Sequence, residues 1–95
     1  MLATVAILLQ PLLLQGAAQP CPRLEVLASE TPTTLRVWLR RALGLDSKVP
    51  IYLTISYGGI RCSPSPDECF GSLSSCFSVG GTLIIGYSTR QIANV

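Results

Sequence analysis

With 95 residues, the chain has room for one domain. Seven basic side chains against five acidic ones leave a formal charge of +2, which excludes the clustered positive field that a nucleic-acid footprint requires. There is no histidine, so the usual general base for a serine or cysteine nucleophile and the usual nitrogen ligand for zinc are both missing.

Residues 1–19 carry no charged side chain, and an apolar run extends from Leu2 to Leu14, interrupted only by Thr4, Gln10 and Pro11. A secretory h-region needs about 7–15 apolar residues and a membrane-spanning helix about 20, so the run predicts a signal peptide. Gly16 and Ala18 supply the small residues that signal peptidase requires, which sets the cut between Ala18 and Gln19. The expected organisation is a signal peptide over 1–18 and a small extracellular β-rich domain over 19–95, a shortened form of a longer protein being one reading. Left uncleaved, the same segment would be a membrane anchor.

All four cysteines, Cys21, Cys62, Cys69 and Cys76, follow that cut. An even number of cysteines in a short secreted chain reads as a disulfide framework of two bridges, with three pairings open. The last three stand seven positions apart, which makes each a candidate partner of its neighbour across a short loop.

Pro20, Cys21 and Pro22 predict an extended start, and Leu24, Val26 and Ala28 alternate with Arg23, Glu25 and Leu27 as in a short strand. Residues 33–45 fit two patterns. As a strand, Leu35, Val37 and Leu39 alternate with Arg36, Trp38 and Arg40. As a helix, Leu35, Trp38, Leu39, Ala42 and Leu43 share a face, Thr31 and Pro32 make a start, and Gly44 makes a stop. Arg36, Arg40 and Arg41 are expected on a solvated face, and Trp38 in or beside the core.

Ile51 to Tyr57 is the clearest strand, with Ile51, Leu53, Ile55 and Tyr57 on one face. Gly58 and Gly59 turn the chain toward a returning strand at Ile60, Arg61 and Cys62. The prolines of residues 63–67 forbid regular structure, and residues 69–75 read as a serine-rich loop held by disulfides. Phe77 and Val79 begin a strand pattern, Gly80 and Gly81 make a second turn, and Thr82 to Tyr87 forms another apolar strand. The predicted fold is mainly β, a small antiparallel sheet or partial sandwich bonded by disulfides, with one short helix at about 32–43 as the alternative to a strand there.

No motif for a known reaction stands out. Asp67 and Glu68 are adjacent and have no second acid pair nearby, and the cysteines lack the two-to-four-residue spacing of a zinc knuckle. The two glycine pairs lie outside any phosphate-loop context. The order Cys21, Trp38, Cys62 resembles an immunoglobulin domain, but the residues before Cys62 depart from that pattern and no family follows from it. The expectation is a non-catalytic extracellular interaction module, a secreted ligand or part of a receptor ectodomain. It would have an unidentified protein partner and no cofactor, metal or nucleic acid, and it would meet a membrane only if the first segment is retained. The alternatives are a fragment of a larger secreted enzyme and a small membrane-anchored protein.

Overall fold

A computed structural model describes residues 3–11 and 23–89. The order of elements is β1 (Thr4–Pro11), β2 (Arg23–Leu27), α1 (Pro32–Leu43), β3 (Tyr52–Tyr57), β4 (Ile60–Cys62), α2 (Phe70–Phe77) and β5 (Thr82–Ser88). The five strands form one sheet in the order β2-β1-β5-β3-β4. Consecutive strands make antiparallel pairs at both edges, while β1 and β5, first and last in the chain, pair in parallel at the centre. The sheet is therefore mixed and both helices belong to one core, which corrects the expected mainly β, antiparallel architecture.

β1 lies where the sequence had suggested an h-region. Val5, Ile7 and Leu9 are buried on the helix-covered face, and Ala6, Leu8 and Gln10 are half-buried on the other. A strand with neighbours on both sides reads as a near-continuous apolar run, which is the same composition a signal peptide shows. The expectation of a signal segment is overturned on this ground, because residues 4–11 hydrogen-bond to β2 on one side and to β5 on the other. The Ala18–Gln19 cut lies outside the described residues. No helix among the described residues is long and apolar enough to cross a membrane.

The ambiguity over residues 33–45 resolves in favour of the helix. Pro32 sits in its first turn, Thr31 is the extended residue before it, and Gly44 ends it in a left-handed conformation. The amide of Leu45 donates to the Arg40 carbonyl at 2.9 Å, which satisfies one of the last open carbonyls. Leu35 and Leu39 are buried, and Val37 on the far side is exposed. The arginines do more than solvate a face. Arg36 Nε donates to the Ile51 carbonyl at 3.0 Å, and Arg40 donates to the carbonyls of Asp46 and Val49, both at 2.6 Å, so α1 holds the connection that leads into β3.

α2 covers Phe70–Phe77, which corrects both the loop expected over 69–75 and the strand pattern expected to begin at Phe77. Phe70 and Leu73, three positions apart and both buried, anchor it over the sheet. Its first two amides donate to the turn after β2, Phe70 to the Glu30 carbonyl at 2.8 Å and Gly71 to the Ala28 carbonyl at 2.9 Å. A Cβ added at Gly71 would stand 3.1 Å from Ala28 Cβ, so this close approach depends on glycine. The core is then a single cluster in which Leu35 and Leu39 of α1 and Phe70 and Leu73 of α2 cover Val5, Ile7, Leu9, Leu53, Ile55, Leu83, Ile85 and Tyr87.

Among the described residues no cysteine pair of the expected framework is present. Cys62, Cys69 and Cys76 are free thiols, and Cys21 lies outside the described residues. Cys69 precedes α2 and Cys76 is in its last turn, so the seven-residue spacing runs along a helix and separates them by roughly 10 Å at 1.5 Å per residue. A disulfide tolerates no more than about 7 Å between Cα atoms. Cys62 is committed to β4, where it pairs with Ile55.

Candidate functional site

Among the described residues, the strand order leaves β2 at one edge, bonded to β1 and open on its outer side. Register sets its side chains. Leu24 lies opposite Ile7 and Val26 opposite Val5, so both point toward the helices, while Arg23, Glu25 and Leu27 point to the other face. Leu24 and Val26 are partly buried against the core. Above them α1 presents Thr34, Leu35 and Trp38. Because α1 packs its Leu35–Leu39 side on the sheet, Trp38 falls at the margin and remains 42% exposed.

Between this edge and α1 opens a groove of about 210 Å³. Its apolar walls are Leu24, Val26, Leu35 and Trp38, and Glu25, Glu30 and Thr34 complete it. The groove is therefore apolar along its length, with Glu30 as its carboxylate, since the Glu25 side chain is on the other face of the sheet, and with no cation in its lining. Glu30 is held in place by its backbone, whose amide donates to the Leu27 carbonyl at 2.9 Å while its carbonyl accepts from Phe70. Nothing in the lining is a nucleophile paired with a base, so the chemistry available here is recognition. An apolar segment can be seated, a basic group can be met by carboxylate, and main-chain groups can bond to the open edge of β2.

The residues singled out from the sequence do not gather here. Cys62 is on β4 at the opposite edge of the sheet, and Cys69 and Cys76 bracket α2. Residues 69–75, expected as a serine-rich loop held by disulfides, are helical from Phe70 on. Asp67 and Glu68 lie exposed in the connection before α2, and among the described residues no group of three or more His, Cys, Asp or Glu side chains could hold a metal ion. Sequence reasoning found Trp38 only as a core or half-buried residue, and it found Leu24 and Val26 only as strand alternation. The groove exists because two elements meet, and no local pattern announces that meeting.

Cys69 has a distinct environment. The Ser72 hydroxyl lies 3.5 Å from its Sγ, and that contact, followed by the backbone N–H of Ser72 at the start of α2, holds the thiol below its ordinary range. The thiolate is the reactive form. Limited alkylation with iodoacetamide near pH 7, read by peptide mass mapping, is therefore expected to mark Cys69 before Cys76, although Cys76 is the more exposed of the two. Labelling of Cys76 first would contradict this reading of the Ser72 contact.

Comparison with known proteins now bears on the architecture. Residues 6–93 match the family model described as ubiquitin-like autophagy protein Apg12. The structure is similar to the crystal structure of ATG8 from Trypanosoma brucei, with a TM-score of 0.66 at 16% identity, over 90% of this chain and 72% of that one. At that identity the likeness shows the fold alone, a mixed α/β ubiquitin-like fold. No curated protein matches the chain in sequence. The family match overturns the extracellular, secreted module with an extracellular partner, since autophagy is an intracellular process. With secretion go the secreted-enzyme fragment and the signal-anchored alternatives.

Proposed function

Since the chain belongs to the Apg12 family of ubiquitin-like autophagy proteins, we propose that it is a non-catalytic ubiquitin-like modifier that works by docking a protein partner in the groove between β2 and α1. The observation that carries this reading is the coincidence of an apolar hollow with an open strand edge. An extended segment of a partner can pair its main chain with β2 while alternate side chains drop toward Leu24, Val26 and Trp38. The carboxylate of Glu30 gives the segment its charge, because a basic residue flanking the apolar anchor is favoured and an acidic one is repelled. Aromatic side chains at the margin of such a site carry a large share of binding energy. Trp38 is therefore the residue on which affinity depends most.

The test is selection of ten-residue peptides from a random displayed library against the full chain, followed by titration of an enriched peptide into isotopically labelled protein. Enriched sequences should pair an apolar anchor with Lys or Arg, and the shifted amides should be those of β2 and of α1 around Trp38. Trp38→Ala should weaken binding by about tenfold or more with the fold retained, since the side chain is already 42% exposed. Shifts that fall elsewhere on the surface, or affinity that Trp38→Ala leaves unchanged, would remove the groove from the account.

A further inference from the structure

Three hydroxyl side chains among the described residues stand directly before a proline: Thr31 before Pro32, Ser63 before Pro64 and Ser65 before Pro66. Their prolines are placed differently. Pro32 is fully buried in the first turn of α1 and Pro64 is buried in the connection between β4 and α2, whereas Pro66 is exposed. Ser65 is exposed as well, and so are Asp67 and Glu68 after it. Among the described residues, Ser65 is therefore the one position where the hydroxyl and the ring that follows it are presented to solvent together.

This connection can enter an enzyme cleft at small cost. Residues 63–65 belong to no helix or strand, and a residue before proline is held toward β or polyproline geometry, so Ser65 is already biased to the extended form in which a kinase takes its substrate. Two surface hydrogen bonds fold the segment back. The Glu68 amide donates to the Ser65 carbonyl at 3.2 Å, and Thr33 Oγ1 donates to the Pro66 carbonyl at 3.0 Å. All four residues are exposed, so water replaces both bonds when the segment lifts, and no buried polar group is left unpaired.

We propose that Ser65 is the acceptor of a phosphoryl group from a proline-directed protein kinase. In such a kinase the pocket after the acceptor takes a ring and offers no partner to a backbone N–H, so any residue but proline leaves an amide unpaired there. Oγ of Ser65 bonds to the γ-phosphorus of ATP as the bond from that phosphorus to the bridging oxygen breaks. ADP leaves with the electron pair, and the hydroxyl proton passes to the carboxylate base of the kinase. The product carries a charge of about −1.5 to −2 at neutral pH, which brings the chain from its formal +2 to about zero. The phosphate joins Asp67 and Glu68 in the same turn, and Glu30 is close by, since its carbonyl accepts from the amide of Phe70. It therefore adds to acid already present and favours basic partner surfaces. Ser65 lies outside the lining of the groove, so the site stands whether or not a peptide docks there.

The test is incubation of the folded full chain with ATP and a purified proline-directed kinase, followed by peptide mass mapping of the phosphate. One phosphate is expected, on Ser65. Ser65→Ala should abolish labelling, and Ser63→Ala should leave it unchanged. Pro66→Ala should lower the rate by about tenfold or more, because it restores the N–H that the kinase leaves unpaired. Glu68→Gln should leave the rate unchanged, which separates a site read through its proline from one read through the acid three positions on. Pro66 and Glu68 are both exposed, so the melting temperatures of these variants should match that of the parent. Phosphate on Thr31 or Ser63, no phosphate on the folded chain, or a Pro66→Ala rate equal to that of the parent overturns the proposal.

Discussion

Ile7→Asp is expected to leave the domain unfolded. Ile7 is fully buried in the middle of the sheet, opposite Leu24 on β2 and Leu83 on β5, and the cluster around it is apolar. Removing the aliphatic side chain alone costs about 2–5 kcal/mol. Placing an unpaired carboxylate there adds several kcal/mol, either as desolvation or as the work of keeping the group protonated. A domain of this size is stabilised by only about 5–15 kcal/mol in total, so the change removes most or all of the margin. Far-ultraviolet circular dichroism should show loss of the cooperative melt. Ala6→Asp supplies the control, since Ala6, next to Ile7 on the same strand, is half-buried on the other face of the sheet and the substitution should be tolerated far better. Equal melting of Ile7→Asp and the parent would mean that residues 4–11 are not part of the folded domain.

Phe70→Ala carries the second large effect. Phe70 is the largest fully buried side chain among the described residues and, with Leu73, one of the two buried residues of an eight-residue helix. A helix this short is not stable alone in water, so α2 exists because these two side chains are covered. Truncation should cost about 3–5 kcal/mol through lost transfer energy and the cavity left behind. With a urea slope of about 1–2 kcal/mol per molar, the midpoint should fall by about 2–3 M. Ser72→Ala on the exposed side of the same helix should stay within about 0.5 kcal/mol. A Phe70→Ala midpoint within error of the parent would mean that α2 does not cover the sheet as described. Because the Phe70 amide donates to the Glu30 carbonyl and Glu30 lines the groove, loosening α2 should also weaken peptide binding beyond the loss of stability.

The parts of the fold that were legible are those where local pattern and environment agree. β3 alternates strongly, Gly58 and Gly59 mark its turn, and the start and stop residues around 32–44 decide for a helix once its buried face is visible. β1 misled because burial on a central strand and passage through a translocon ask for the same apolar composition, and only pairing to β5 distinguishes them. That pairing is long-range and leaves no local trace. The seven-residue cysteine spacing looked like a ladder of short loops, whereas along α2 it measures two helical turns. α2 itself was hidden by Gly71 and three serines, which are weak helix formers, its helical state being set by the burial of Phe70 and Leu73 against the sheet.

The candidate site was less legible still. Leu24, Val26 and Trp38 were each visible as apolar positions, but the groove appears only when β2 is known to be an edge and α1 is known to lie beside it. The loss of the disulfide reading follows from the same geometry that creates the site. Once residues 4–11 fill the centre of the sheet, the helices pack over them, and three thiols are left apart at its far edge and along α2.

The most direct test of an intracellular ubiquitin-like domain built around β1 is the intact mass of the full chain expressed in a eukaryotic host, alkylated before and after reduction. The expected species stays with the cells, retains residues 4–11, and takes alkyl groups on Cys62, Cys69 and Cys76 without reductant. A secreted species that begins at Gln19 and alkylates only after reduction would contradict the assignment, because a chain without β1 could not form this sheet.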